Sequence, residues 1–391
     1  MITLTPQRLE SVTAWFEENF HIRGDIGASV SIWQQGREWL SLAHGHCDRA
    51  RSQAWTSNTL VPVWSATKGP AAVAALLALH QAGLPLECPV AEVWPEFAGG
   101  GKTEVLFQHL FTHTAGLCAL DERVSILEYE SVIKALENQQ PLWVPGTKQG
   151  YHARTFGFLL DEIVRRLTSA GSLGEFFHQI IGKPMELDFW IGLPEAQFHR
   201  VSPIYPGKIT AADAEQPFLK AFHTPNSLTI RSFQSPSGLN AVSDFNRSET
   251  WTRGYASMGG VGSASGLARF YAMLADGGQW LSKQIVPTTV IQQLDTPICQ
   301  KEDSVLLTPI AFAAGVMHDP VDLDPDSMTH GRKLRQLYGP SKRAFGHPGA
   351  GGSMAFADPE NGIAFAYVMN QMEGGALPGP KVRGLVDHLY A

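Results

Sequence analysis

Cysteine is scarce in this sequence, which has four among its 391 residues. No two of them form a C-x-x-C pair, and they are spread over the chain at Cys47, Cys88, Cys118 and Cys299. This spacing is not that of a disulfide-stapled secreted domain or a cysteine zinc site, so we expect free thiols. Thr5 and Pro6 are typical of a helix N-terminus and not of a signal peptide. We therefore expect a cytoplasmic protein.

The sequence also has little charge and no long hydrophobic run. Charged residues make up 17% of the chain, and the formal net charge is −7, so no basic surface for a nucleic acid is expected. No stretch approaches the roughly 18 apolar residues that a membrane span requires. Hydrophobic residues make up 44%, which predicts one large or two interlocked globular domains.

Two familiar hydrolase signatures are absent. The Gly-x-Ser-x-Gly pattern of α/β-hydrolases has no complete copy, and neither does the His-Glu-x-x-His pattern of zinc hydrolases. Two histidine groups could suggest a metal, namely 44–48 (His-Gly-His-Cys-Asp) and the pair His109 and His113. Neither has the glutamate of the zinc pattern. We expect no metal site and no cofactor.

A serine and a lysine stand three residues apart where a short apolar segment runs into a helix of small residues. They are Ser65 and Lys68, followed by an apolar run from 71 to 79. Residues i and i+3 share one face of a helical turn, and a lysine whose pKa is lowered by burial can deprotonate a serine. Pro70 predicts that the helix is distorted or begins later than Ser65.

The Ser-x-x-Lys pattern alone is weak, because the chain contains a second copy. Ser131 and Lys134 lie in a stretch that is typical of an amphipathic surface helix with a solvated lysine. Only partners elsewhere in the chain can distinguish the two copies.

Strands are predicted near both ends of the chain. Residues 28–33 and 38–43 form one hairpin around a glycine turn, and residues 352–357 and 363–369 form another. We therefore predict an α+β fold whose antiparallel sheet is flanked by terminal helices. Residues 1–83 and 262–391 would build this domain, and 84–261 an inserted, mainly helical one, with the active site in the cleft between them. Within the insertion, 194–250 is predicted to form long loops.

Three further motifs could supply partners for Ser65. Residues 145–151 (Pro-Gly-Thr-Lys-Gln-Gly-Tyr) deliver Tyr151, whose phenol could relay a proton or hold the lysine by a hydrogen bond. The glycine-rich 346–353 could expose backbone N–H donors at a strand edge. His113, in His-Thr-Ala-Gly-Leu, is interpreted as a structural residue that is satisfied internally.

These motifs, in this order, resemble the serine β-lactamase and penicillin-binding-protein superfamily. The closest likeness is to class C β-lactamases and family VIII carboxylesterases. The resemblance implies that Ser65 is the nucleophile, that Lys68 and Tyr151 are its base system, and that the backbone N–H groups of Ser65 and Ala350 form the oxyanion hole.

The sequence departs from the lactamase pattern at two positions. The lactamase Tyr-x-Asn motif reads 151–153 (Tyr-His-Ala) here, and the lysine of Lys-Thr-Gly is replaced by His347, ahead of Gly349. A histidine is only fractionally charged near neutral pH, so the fixed cation that could bind a β-lactam carboxylate is missing. Lys342 or Arg343 could restore that charge.

We therefore predict a serine hydrolase that cleaves short-chain carboxylic esters through an acyl-enzyme on Ser65. His347, Gly349, Trp64 and His152 are the predicted substrate-binding residues. The alternatives are a β-lactamase or D-alanyl-D-alanine carboxypeptidase, an acyltransferase, and an inactive member that only binds ligands. The expected partner is a small-molecule ester, with no nucleic acid and no membrane, and the oligomeric state stays open.

Overall fold

The computed structural model describes residues 2–375 and 377–391. Its strands, in chain order, are β1 (Gly27–Gln34), β2 (Arg37–Gly45), β3 (Val61–Pro62), β4 (Phe189–Ile191), β5 (Gly260–Gly262), β6 (Gln279–Trp280), β7 (Lys283–Gln284), β8 (Cys299–Glu302), β9 (Pro309–Phe312), β10 (Met317–His318), β11 (Phe345–Pro348), β12 (Met354–Asp358) and β13 (Ile363–Met369). Its α-helices are α1 (Pro6–His21), α2 (Lys68–Gln81), α3 (Phe107–Phe111), α4 (Tyr129–Asn138), α5 (Thr155–Leu167), α6 (Leu173–Phe177), α7 (Ala211–Ala214), α8 (Pro217–Phe222), α9 (Leu228–Gln234), α10 (Ser248–Arg253), α11 (Ala264–Ala275), α12 (Thr288–Gln292) and α13 (Pro380–Tyr390).

The main sheet takes strands from both ends of the chain. It has eight strands in the order β2-β1-β13-β12-β11-β10-β9-β8, and the pairings are antiparallel. β1 and β2 are joined by a two-residue turn in which Gln35 and Gly36 both have positive φ, as the tight hairpin turn requires. β1 also pairs with β13, with Val30 opposite Tyr367. The N-terminal and C-terminal hairpins therefore share one sheet, as predicted.

Helices cover both faces of this sheet. The terminal helices α1 and α13 pack together, and the Trp15 Nε1–H donates to the Lys381 carbonyl at 3.1 Å. α11 packs against β1, β12 and β13. The predicted α+β fold, with an antiparallel sheet and flanking terminal helices, is confirmed.

The middle of the chain is mainly helical and is joined to the Ser65 region by a small sheet of order β3-β5-β4. α2 packs against α5 and α6 beneath this sheet. The domain boundaries at residues 83/84 and 261/262 stay predictions.

The prediction that residues 194–250 form long loops is wrong. This region holds α7, α8 and α9, the start of α10, and two 3₁₀ helices, Glu195–Arg200 and Val242–Asn246. Each helix is only one or two turns long, which is too short for a helical repeat of apolar residues to be recognised in the sequence. The buried side chains of Leu219 and Phe245 anchor two of these short helices. In the described ranges, no helix combines the length and hydrophobicity that a membrane crossing requires.

Candidate active site

Ser65 lies at the start of a strained turn. It begins a 3₁₀ turn, Ser65–Thr67, which follows β3 and leads directly into α2. The preceding Trp64 has φ +52° and ψ −134°, a conformation that is costly for a residue with a side chain. Thr67 holds the turn, because its Oγ1 donates to the Trp64 carbonyl at 2.5 Å and accepts from the Gly260 N–H at 2.9 Å. Pro70 falls in the first turn of α2, where its missing N–H costs nothing.

Lys68 is fully buried, and its hydrogen bonds suit a neutral amine. Its Nζ lies 3.0 Å from the Ala153 carbonyl oxygen, 2.8 Å from the Ser257 carbonyl oxygen and 3.5 Å from Ser65 Oγ. Burial lowers the pKa of Lys68 well below its usual 10.5. A neutral amine has two N–H groups and one lone pair. When Lys68 is in this form, the two carbonyls can take both N–H groups, which leaves the lone pair for the Ser65 hydroxyl.

Tyr151 completes the group around Ser65. Its side chain lines the same cavity as Ser65, and its ring centroid lies 4.7 Å from Lys68 Nζ. Burial, with a smaller contribution from the carboxyl of Asp303, raises the pKa of Tyr151 above its usual value. The side chain is therefore a phenol at neutral pH, which can donate a hydrogen bond.

Asp303 positions Tyr151, a role that no sequence motif indicated. Its Oδ1 accepts from the backbone N–H groups of Tyr151 at 3.1 Å, Val305 at 2.9 Å and Leu306 at 2.8 Å. The residue is fully buried. Ser232 acts on the other side, where its hydroxyl donates to the Tyr151 carbonyl at 2.7 Å.

Replacing Asp303 by alanine is expected to lower both stability and kcat. The change leaves three buried N–H groups without an acceptor and should lower the free energy of unfolding by about 3 kcal/mol or more, since each orphaned group costs about 1–3 kcal/mol. Asp303→Asn keeps an oxygen in place and should restore most of both properties. The measurements are urea unfolding and steady-state ester hydrolysis.

Asp319 offers a matched control for this prediction. It is a buried carboxylate whose oxygens accept from the Leu337 and Tyr338 N–H groups at 2.9 and 3.1 Å and from the buried Lys333 Nζ at 3.0 Å. It does not line the cavity that contains Ser65. Asp319→Ala should destabilise the fold without lowering the kcat of the folded protein. Equal kcat values in the two alanine variants would contradict the positioning role of Asp303.

Two backbone N–H groups are free to receive an oxyanion. Within the described ranges, neither the Ser65 N–H nor the Ala350 N–H has a hydrogen-bond acceptor. Ala350 follows β11, which packs against the Ser65 turn. The loop is held by the Gly349 N–H, which donates to the Ser353 carbonyl at 2.6 Å. This arrangement suits an oxyanion hole.

The structure gives Gly349 a packing role. A Cβ at this position would lie 2.2 Å from the Val63 carbonyl oxygen, so only glycine lets β11 approach the segment before Ser65 this closely. Gly349 does not line the cavity in front of Ser65. The prediction that it contacts substrate is therefore corrected.

His152 also lies away from the substrate space. Its Nε2 accepts from the Leu117 N–H at 3.0 Å, and its Nδ1–H donates to the Gly150 carbonyl at 2.7 Å. Burial lowers its pKa to about 3. Both ring nitrogens are occupied by backbone groups, so its predicted contact with substrate is corrected to a structural role. His113, predicted to be structural, is buried beside it and accepts the His152 N–H through Nδ1 at 3.0 Å.

His347 is neutral and faces the substrate space. Its Nδ1 lies 2.8 Å from the Pro348 carbonyl and so carries the proton, while Nε2 has no partner among the described residues. Burial lowers the pKa of His347 to about 3. Lys342 and Arg343, the predicted substitutes for the missing cation, are exposed and lie outside the cavity. Arg343 pairs instead with Asp295.

An apolar cavity of about 310 Å³ opens in front of Ser65. We call it the active-site cavity; its lining includes Ser65, Tyr151, His347 and Ala350. Apolar side chains form most of the remaining wall, among them Trp64, Phe218, Phe222, Phe233, Leu239 and Met258. Trp64, a predicted substrate-binding residue, stacks on Phe245 with the ring centroids 3.9 Å apart.

Among the described residues of this lining, Arg154 is the one lysine or arginine. Its guanidinium is already hydrogen-bonded to other residues of the cavity wall. Its guanidinium donates to the carbonyls of Pro236, Gly238 and Leu239 and to Asn240 Oδ1, at 2.5 to 3.2 Å. Burial lowers its pKa to about 10, so it stays charged at neutral pH. These hydrogen bonds hold residues 236–240 in place. The guanidinium is therefore not free to bind an anionic group of a substrate.

The competing motifs are not assembled into sites. Lys134 of the second Ser-x-x-Lys copy is 68% exposed and pairs with Glu137 at 3.0 Å. His109 accepts the Leu106 N–H through its Nδ1 at 3.1 Å. No group of three or more metal-ligating side chains occurs in the part of the chain that the structure describes.

Comparisons with known proteins agree with this geometry. Esterase/beta-lactamase LipL of Mycobacterium tuberculosis is 28% identical over 376 residues, which cover 93% of this chain and 82% of that protein. A family VIII carboxylesterase structure superimposes with a TM-score of 0.85 at 29% identity, covering 100% of this chain and 98% of the other. A penicillin-binding-protein homologue from Caulobacter crescentus gives a TM-score of 0.81 at 30% identity, with 99% and 98% covered.

The model of the family described as Beta-lactamase matches residues 12–386. This match includes Ser65, Lys68, Tyr151 and the β11 loop. The chain therefore belongs to the β-lactamase family, within the serine β-lactamase and penicillin-binding-protein superfamily that its motifs resemble.

Proposed function

We propose that this protein is a serine carboxylesterase that hydrolyses short-chain esters through an acyl-enzyme on Ser65. The observation that carries the proposal is the fully buried Lys68, whose Nζ lies 3.5 Å from Ser65 Oγ beside an apolar cavity. Similarity to a family VIII carboxylesterase and to LipL supports the same reaction class.

Acylation follows from the positions of these groups. Lys68 takes the proton of Ser65, and Ser65 Oγ attacks the ester carbonyl carbon. The negative charge that develops on the carbonyl oxygen is stabilised by the N–H groups of Ser65 and Ala350. When the C–O bond to the alcohol breaks, Lys68 returns the proton to the departing oxygen, with the Tyr151 hydroxyl as the relay.

Deacylation repeats these steps with water. A water molecule gives its proton to the Lys68 and Tyr151 pair and attacks the acyl carbon. The bond to Ser65 Oγ then breaks, the oxygen regains its proton, and the carboxylic acid leaves. The apolar wall keeps the acyl chain out of water throughout, which favours acyl groups without charge.

Among the described residues that line the active-site cavity, no cation is free to bind a substrate carboxylate, which supports an esterase over a β-lactamase. His347 is neutral at physiological pH, and Arg154 is held by four oxygens of the wall. An anionic β-lactam would lose a charge-assisted hydrogen bond, which is worth about 1.5–3 kcal/mol. This favours esters whose acyl half is uncharged over β-lactams and D-Ala-D-Ala ends.

The test compares 4-nitrophenyl esters from acetate to octanoate with a chromogenic cephalosporin. We expect kcat/KM to rise about fourfold for each added methylene until the cavity is filled, since burying one CH₂ is worth about 0.8 kcal/mol. The cephalosporin should react at least about tenfold more slowly than the best ester, because its carboxylate lacks a cationic partner. Turnover of the cephalosporin at the rate of the best ester would contradict the proposal.

A further inference from the structure

A second and larger cavity adjoins the active-site cavity. Its volume is about 1170 Å³, and it lies between the C-terminal end of α1, residues 206–218 and residues 371–383. The two cavities share part of their lining, including Pro206, Phe218, Leu306, Met372, Glu373 and Leu377. A substrate bound at Ser65 can therefore extend across this shared rim into the second cavity.

The second cavity is rich in positive charge. Its lining contains the cationic residues Arg23, Arg49, Lys208, Lys381 and Arg383. Two of them are paired, Arg23 with Glu18 at 2.9 Å and Lys381 with Asp25 at 2.6 Å. In the ranges that the structure describes, the other three form no ion pair.

Within the described ranges, the two acids of this lining form no ion pair with those three cations. Asp213 accepts from the N–H and Oγ1–H of Thr210 at 2.9 and 2.8 Å. Glu373 accepts from the Lys381 N–H at 3.3 Å, and burial raises its pKa. The chain as a whole carries a net charge of −7, so a surplus of unpaired cations here runs against its composition. The surplus favours an anionic ligand.

The order of the reaction decides which half of an ester faces this cavity. The acyl group stays on Ser65 until water removes it, so it belongs in the apolar active-site cavity. The alcohol leaves first and must give way to water, so it belongs on the polar side. The rim connects the active-site cavity, which holds Ser65, with the second cavity.

We propose that the second cavity binds an anionic group, carboxylate or phosphate, on the alcohol half of the ester substrate. This inference rests on the proposed esterase function and names its substrate class. The anionic group takes no part in the bond changes. Ser65 Oγ gains the acyl group, the C–O bond to the anionic alcohol breaks, and the alcohol leaves with the proton held by Lys68.

The test uses three butyrate esters that differ only in charge: 1-butyrylglycerol, 1-butyrylglycerol 3-phosphate and the butyrate ester of glyceric acid. At low ionic strength, kcat/KM for at least one anionic ester should exceed that of the neutral ester about tenfold or more. Salt should reduce this ratio, because the Debye length falls to about 3 Å at 1 M. The Lys208→Met/Arg383→Met double variant should lower the ratio about tenfold or more, mainly through KM.

Lys283→Met is the matched control, because Lys283 is an exposed lysine on β7 that lines neither cavity. It should leave the ratio unchanged. A larger effect on the phosphate ester than on the glycerate ester identifies phosphate as the ligand, and the reverse identifies carboxylate. Equal kcat/KM for charged and neutral esters, or ratios unaffected by the double variant, would overturn the anion site alone. Failure of the wild-type protein to hydrolyse the neutral ester and 4-nitrophenyl butyrate would instead contradict the esterase function.

Discussion

Replacing Ser65 by alanine should reduce the hydrolysis of 4-nitrophenyl butyrate by a factor of about 10⁴ or more, the scale on which serine enzymes lose kcat without their nucleophile. The acyl-enzyme cannot form without Oγ, and no other hydroxyl is placed between Lys68 and the oxyanion donors in the described structure. The variant should also fail to react with diisopropyl fluorophosphate. Both can be followed by steady-state kinetics and by the mass of the labelled protein.

Ser131→Ala is the matched control for this prediction. Ser131 belongs to the other Ser-x-x-Lys copy and lies on α4, where Lys134 is exposed and paired with Glu137. The substitution should leave hydrolysis and labelling at wild-type levels. Ester hydrolysis that persists in Ser65→Ala, or that disappears in Ser131→Ala, would remove Ser65 as the nucleophile.

Replacing Lys68 by methionine should lower kcat by about 10²- to 10⁴-fold, the usual contribution of a general base. Methionine fills the same buried space but cannot accept the Ser65 proton. Labelling of Ser65 by diisopropyl fluorophosphate should slow in parallel. Rapid labelling of the Lys68→Met variant would show that another group activates Ser65.

Lys102 provides the comparison for Lys68. It is also buried, its Nζ donates to the carbonyls of Gly99, Glu137 and Gln139, and burial lowers its pKa to about 8. Lys102→Met should cost about 1–3 kcal/mol of stability, because it leaves buried carbonyls without donors, and it should not change kcat. Comparing Lys68→Met with Lys102→Met distinguishes the effect of removing any buried lysine from the effect of removing the base that activates Ser65.

The pH dependence of Lys68 has a definite sign. Its folded pKa is lowered by burial from 10.5, so the amine becomes a competent base as pH rises through the lowered value, and kcat should rise with it. Between the lowered pKa and 10.5 the unfolded chain holds more protons than the folded one, so this lysine makes stability increase with pH there. In Lys68→Met, the contribution of this lysine to the pH dependence of kcat and to that of the free energy of unfolding should disappear. The first is measured by pH–rate profiles and the second by urea unfolding at several pH values.

Local chemistry made part of the site predictable. Ser65 and Lys68 are three residues apart on one turn, so their meeting is encoded in the spacing. The terminal hairpins carry alternating apolar residues and tight turns. From these features the sequence predicts the strands that the structure pairs in the main sheet.

Other parts depend on contacts between distant residues. Asp303 reaches Tyr151 across 152 positions and is preceded by exposed polar residues that are typical of a surface strand. His152 follows Tyr151 in an extended segment, where neighbouring side chains point in opposite directions. The Tyr151 side chain faces the cavity that contains Ser65, and the His152 side chain faces the protein interior. The motif alone did not show which of the two residues faces the cavity. The cavity wall comes from helices too short to show a period.

The hold of Arg154 on the cavity wall has an evolutionary consequence. Three of its four hydrogen bonds end on main-chain oxygens of residues 236–239, which every amino acid supplies. Mutations in this segment can therefore change the shape and polarity of the cavity wall while the hydrogen bonds from Arg154 to the main chain are kept. New specificities can arise by drift in the wall, while the chemistry of acyl transfer at Ser65 is inherited intact.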